Sequence, residues 1–287
     1  MTVPITWAGW NGTVLAVAPH PLVPGRILAS AGFCRDTAHC NTGTEPAGFY
    51  GSDDYGLSWS YLGPSMAISE PLTIAYDQGN PDLIYAGTQG EGLWRSTDGG
   101  DSWVTVEIPG TQPPVAIDSI APHPDDSESL YVRLYSFGLG PNPQPELYFS
   151  DNAGASWQAV DDVDTVFPGH GGVGLVFMPP TPDSGPYSLY SGCEVGLCRT
   201  PAGTSNWQEV VGAPDLYEKN ALVAASDGER SRLYLGTSGG TVSVQGRVSI
   251  LDATIPGLGS LLGGGVYRYT TMPSGIYQLF LPVVIRN

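Results

Sequence analysis

The chain has 287 residues, of which 39 are Gly and 26 Pro, and 41% are apolar. That balance excludes a disordered tract, because enough apolar side chains exist to build a core, and it fits a turn-dense β protein. The formal charge of −17 rests on 28 acidic against 11 basic residues, and Lys219 is the only lysine. A nucleic-acid partner is therefore excluded, since phosphate contacts need clustered Lys and Arg.

No run reaches the roughly 18 apolar residues of a membrane span. The N-terminal stretch shows no signal peptide, so an exported protein would have lost it before this sequence begins. Asn11-Gly12-Thr13 fits a glycosylation sequon at Asn11. Val3-Pro4-Ile5-Thr6-Trp7 is strand-like and competes with the C-terminal tail for the last strand of the fold.

Alternating apolar runs then recur with turn residues between them, which is the strand-and-hairpin signature. First strands are predicted at Val14–Val17, Leu72–Tyr76 and Ile117–Ile120. An Ala-Pro-His-Pro turn follows two of them, at 18–21 and 121–124, which assigns His20 and His123 to equivalent turns on separate repeats, not to one metal. Second strands are predicted at Leu83–Thr88, Ser129–Val132, Ser188–Gly192 and Leu233–Thr237, and third strands at Gly92–Ser96 and Glu146–Ser150.

Each third strand runs into a repeated octad. The first copies are Ser52-Asp53-Asp54-Tyr55-Gly56-Leu57-Ser58-Trp59 and Ser96-Thr97-Asp98-Gly99-Gly100-Asp101-Ser102-Trp103. A third copy, from Ser150 through Asn152 and Gly154 to Trp157, has Asn for the central Asp, and a decayed fourth ends at Trp207. The tryptophans are 44, 54 and 50 residues apart, the scale of one four-stranded propeller blade. Asp54 and Asp98 are expected to accept backbone N–H groups inside a turn, the glycines to supply a rare backbone conformation, and the tryptophans to pack one blade on the next. That makes the box aspartates structural.

The octad resembles the Asp-box, or sialidase-type repeat, family over roughly residues 11–210. The resemblance implies an all-β propeller of four-stranded antiparallel blades. It also implies that sialidase chemistry must be tested: that activity needs an arginine cluster, a Tyr/Glu pair, an Asp acid and an Arg-Ile-Pro motif. Arg26-Ile27-Leu28 departs at the proline, the arginines are scattered, and Arg95 and Arg199 hold equivalent repeat positions. Xyloglucan-type hydrolases are similar in their repeats and use two carboxylates across a cleft, on a much longer chain. The densest acidic group, Asp161, Asp162 and Asp164 with His170 nearby, reads as a solvated loop in preference to a cation or acid/base site, and Asp125, Asp126 and Glu128 read as a turn.

Cysteines fall in two close pairs, Cys34 with Cys40 and Cys193 with Cys198, without the spacing of zinc or redox motifs. Two local disulfides in an oxidising compartment are the simplest reading. Five blades are expected, at about 8–62, 63–107, 108–160, 161–211 and 212–287, as one domain; six are possible if the stretch 238–264 hides one. That stretch is too apolar for an idle loop, and the tail 276–285 ends in a Leu-Pro-Val-Val-Ile-Arg-Asn form that resembles the ends of exported bacterial propeller proteins. Val242, Val244, Ile250 and Leu261 in the insertion, and Leu279, Phe280, Leu281, Val283, Val284 and Ile285 in the tail, are the expected assembly contacts.

These residues point to an exported, extracellular or cell-surface propeller without catalytic residues, metal or cofactor. Its partners would be other copies of itself, in a ring or filament, or a cell-surface protein or glycan. The alternatives are a glycan-binding protein or glycoside hydrolase, and an assembly factor of a membrane complex.

Overall fold

The computed structural model describes residues 13–32, 48–63, 71–111, 115–135, 147–160, 174–180, 186–193, 196–204, 206–210, 219–226, 231–237, 266–270 and 281–283. The chain divides into two compact units, Met1–Ala159 and Val160–Asn287.

The first unit holds three sheets. Sheet one is β1 (Thr13–Pro19), β2 (Ile27–Gly32), β3 (Gly48–Ser52) and β4 (Ser60–Gly63). Sheet two is β5 (Pro71–Tyr76), β6 (Ile84–Thr88), β7 (Leu93–Ser96) and β8 (Val104–Val106). Sheet three is β9 (Ala116–His123), β10 (Asp126–Tyr135), β11 (Leu147–Ser150) and β12 (Gln158–Ala159). The second unit holds sheet four, β13 (Val176–Met178), β14 (Ser188–Cys193), β15 (Gly196–Pro201) and β16 (Gln208–Glu209). Sheet five is β17 (Lys219–Ser226), β18 (Ser231–Thr237), β19 (Val266–Thr270) and β20 (Leu281–Val283).

Every sheet is a four-stranded meander in chain order, with antiparallel neighbours throughout. This is the blade pattern the repeat predicts. Among the described residues, no sheet borrows a strand from the opposite terminus. The last strand of sheet five comes from the tail, where Leu281 faces Arg268 and Val283 faces Val266 within the same chain. Thus Leu281 and Val283, expected as contacts between copies, pair inside their own sheet. The other expected assembly contacts, Val242, Val244, Ile250, Leu261, Leu279, Phe280, Val284 and Ile285, lie outside the described residues, as does Asn11.

The cores of the first unit lie between sheets. Leu28, Phe49, Ile74, Ile84 and Trp103 pack sheet one on sheet two, and Phe49 stacks on Trp103 at 4.9 Å. Tyr85, Leu93, Ile117, Leu130 and Val132 pack sheet two on sheet three. Because β6 is covered on both faces, all of its residues are buried, and its sequence reads as a continuous apolar run without alternation. The outer strands β8 and β12 are largely exposed. In the second unit the buried side chains include Phe177, Leu189, Tyr190, Leu197 and Leu233.

A meander puts its first-to-second and third-to-fourth turns at one end of a sheet. The second-to-third connection lies at the other end, beside the start of the first strand. The two ends differ in chemistry.

Candidate functional site

At the turn end, polar side chains close the backbone on itself. The Asp54 carboxylate accepts from the Ser52 hydroxyl and from the Ser58 backbone N–H and hydroxyl. Asp98 repeats this with Ser96 and Ser102. The seryl hydrogen bonds, led by those from Ser58 and Ser102, hold both carboxyls down at about 2. In the third turn Asn152 accepts from Ser150 and Ser156 N–H and donates to the Ser156 hydroxyl. Gly56, Gly100 and Gly154 have φ of +83°, +101° and +84°, where a side chain is strained. Trp59 and Trp103 donate their indole N–H to the carbonyls of Gly56 and Gly100.

The first-to-second turns also close by side-chain acceptors. His20 Nδ1 accepts from the N–H groups of Leu22 and Val23, and His123 Nδ1 from that of Asp125. Asp77 holds the same place in sheet two and accepts from Gly79 and Asn80. The two kinds of turn are then bonded together: Tyr55, Gly99, Ala153 and Ala202 donate N–H to the carbonyls of Gly25, Asp82, Glu128 and Tyr187. Asp77 accepts from Ser127 Oγ, and Arg95 donates to the Ala153 carbonyl, tying sheet two to sheet three. Arg95 therefore serves the repeat, as its recurrence predicted. Asp125 lies in the expected turn, whereas Asp126 and Glu128 stand at the start of β10, where Asp126 accepts from the Ser129 hydroxyl and the Glu128 N–H. The Asp54, Asp77, Asp98 and Asp126 carboxylates are committed to neighbouring N–H and seryl hydroxyl groups and are poorly placed to move protons.

The opposite end is less uniform. In sheet two the Thr88 hydroxyl receives the Glu91 N–H and donates to the Gly92 carbonyl, while Gly92 and Val115 join this loop to the start of sheet three. In sheet four Cys198 sits in the β14–β15 hairpin opposite Ser191, and Cys193 sits opposite Gly196. Cys198 is disulfide-bonded, and no cysteine among the described residues is free. Cys34 and Cys40 lie outside the described residues, as do Asp161, Asp162, Asp164 and His170. No group of metal-ligating side chains occurs among the described residues.

Sheet three carries an ion pair at this end. Arg133 on β10 donates through Nε to Asp118 Oδ1 at 3.0 Å and through Nη2 to Oδ2 at 2.6 Å. The side chains are 7% and 21% exposed. Such a two-pronged pair fixes the carboxylate plane. Removing one partner from a buried pair costs about 3–5 kcal/mol, because the other charge is left uncompensated. Neither residue stood out in the sequence, although an arginine within an apolar strand was a signal.

A family model described as "Sortilin, neurotensin receptor 3" matches residues 47–167. A xyloglucanase of Hypocrea jecorina (strain QM6a) is 29% identical over 180 residues, 53% of this chain and 21% of that protein. A xyloglucanase of a Paenibacillus species is 26% identical over 286 residues, 88% of this chain and 26% of that protein. The chain thus spans about a quarter of the length of these curated relatives. A solved structure of an ancestral GH74 enzyme aligns with a TM-score of 0.58 at 20% identity, covering 95% of this chain and 31% of that one.

These relatives overturn the expected non-enzymatic, self-assembling module: proteins similar over most of the chain are named as xyloglucanases. Among the described residues of the tail, Leu281–Val283 completes sheet five. No helix among the described residues is long and apolar enough to cross a membrane. The chain is an all-β protein built of β-propeller blades.

Proposed function

We propose that this chain belongs to a glycan-directed hydrolase of xyloglucanase type and works on a β-glucan polysaccharide outside the cell. The observation that carries the reading is the similarity to the Paenibacillus xyloglucanase over 88% of the chain. Two further features agree with it. The repeated turns have the hydrogen bonding expected of Asp boxes, which supports the sialidase-type repeat resemblance. The disulfide at Cys198 fits an oxidising compartment.

Glycoside hydrolysis needs a pair of carboxyl groups flanking the scissile bond, about 5–9.5 Å apart. The turn-end carboxylates Asp54, Asp77 and Asp98 are engaged in closing turns and are unsuited to that work. On this reading the productive surface lies at the opposite end of the blades.

The test is incubation of the purified chain with xyloglucan, mixed-linkage glucan and cellulose, with reducing ends measured and retention followed by affinity electrophoresis. Shortening of xyloglucan, with retention in a xyloglucan gel, is the expected result. A protein that neither cleaves nor is retarded by any of them is not of this class.

A further inference from the structure

The strand registers allow the sheets to be compared position by position. Ile27, Ile84, Leu130 and Leu189 each face the first residue of a box: Ser52, Ser96, Ser150 and Thr200. Three residues on along the same strands stand Ser30, Gly87, Arg133 and Gly192. On the first strands, five residues before the turn acceptors His20, Asp77 and His123, stand Leu15, Leu72 and Asp118. Where sheets one and two combine a leucine with a serine or glycine, sheet three combines a carboxylate with a guanidinium.

The fold does not require this exchange. Ser30 donates its hydroxyl to the Pro71 carbonyl, and Gly87 lies so near Ile117 that it has no room for a side chain. Both rows are built without charge, and a buried ion pair gives little stability over an apolar pair of similar shape. The exchange has a chemical consequence instead. Each Asp118 oxygen accepts one N–H from Arg133, and an ionised carboxylate has about four acceptor positions in all. The remaining lone pairs belong to a side chain that is 21% exposed, on the edge strand β9, near the end of the sheet away from the closed turns. That is a pair of oriented acceptors, which matches two neighbouring sugar hydroxyls.

We propose that Asp118 accepts hydroxyl hydrogen bonds from a bound glucan chain, and that Arg133 is the positioning residue that aims it. The proposal rests on the glycan-directed reading above and gives it a contact.

The variants are Asp118→Leu combined with Arg133→Gly, which writes the residues of sheet two into sheet three, and Asp118→Asn alone. Affinity for xyloglucan is measured by gel retardation and calorimetry, beside thermal melting of each protein. The expected result is that the folded variants bind on the order of tenfold to a hundredfold more weakly, as loss of hydrogen bonds to a charged acceptor predicts. The melting temperature of the double variant stays close to that of the parent. If the double variant does not fold, Asp118→Asn decides. Unchanged affinity in a folded variant overturns the proposal and leaves the hydrolase reading standing. A parent chain that neither binds nor cleaves xyloglucan overturns both.

Discussion

Replacing Gly87 by alanine tests how tightly sheet two is fitted to sheet three. A Cβ at Gly87 would lie 2.5 Å from the Ile117 carbonyl oxygen and 2.7 Å from both Ile117 Cβ and Cγ2. Ordinary contact between such atoms is about 3.5–4.0 Å, so β9 would have to retreat by roughly 1 Å. Side-chain rotation gives no relief, because the nearest atom is backbone and Ile117 is fully buried in the core between these sheets. Overpacking of this kind costs about 1–3 kcal/mol, and a backbone obstacle puts it at the upper end. Alanine recovers about 0.4–1 kcal/mol by restricting the unfolded chain, which leaves a net loss of about 2 kcal/mol. For a domain of this size that is a fall of about 4–8 °C in melting temperature. Calorimetry of Gly87→Ala against the parent measures it. Ser30→Ala at the same row of sheet one provides the comparison. A side chain is already accommodated there, so only the hydrogen bond to Pro71 is lost, worth about 1 kcal/mol. A Gly87→Ala protein melting within a degree of the parent would refute the close approach and the register that creates it.

Two further predictions concern pH. The Asp98 carboxyl is lowered from 3.8 to about 2, so its contribution to stability is full above the unfolded value and lost as pH falls toward 2. Asp98→Asn, which copies the third turn, should flatten the decline in melting temperature between about pH 4 and pH 2; an unchanged slope would show that the turn carboxylates do not set acid stability. His20 must be unprotonated at Nδ1 to accept its two N–H groups, and its burial, with Arg26 nearby, lowers its pKa from 6.5. Stability from this turn is then present above 6.5 and lost as pH falls through the folded value. His20→Asp, which imitates Asp77, should abolish that loss in urea titrations across this range, and persistence of the loss would assign it to another group.

The blades were legible because their turn chemistry is local. Ser52, Asp54 and Ser58 are bonded within seven residues of chain, and any sequence that repeats them repeats the turn. The closing strand of sheet five was legible only as a choice between termini, since Leu281–Val283 is fixed by its partner β19 and not by propensity. The alternation expected of every strand fails in β6 because burial on both faces removes the polar half of the pattern. The pair Asp118–Arg133 is joined across 15 residues, and neither member forms a motif by itself. The acidic cluster Asp161, Asp162 and Asp164 is conspicuous in the sequence, whereas Asp118 stands alone in a strand and is recognised by what its sister strands lack.

The same contrast determines which role Asp118 can take. A general acid must carry a proton and release it to the leaving oxygen, and a nucleophile must approach the sugar carbon with a free oxygen. Asp118 presents both oxygens to a guanidinium, and the fork resists rotation of the carboxylate toward a carbon. The same fork suits recognition: it holds the acceptor plane still before a ligand arrives, which lowers the ordering cost of binding. Blade repeats solve folding once and reuse the solution at the turn end, where polar side chains are committed to backbone. Chemistry is then added where one sheet departs from its neighbours at little cost to the turns, as sheet three does with two substitutions in facing strands.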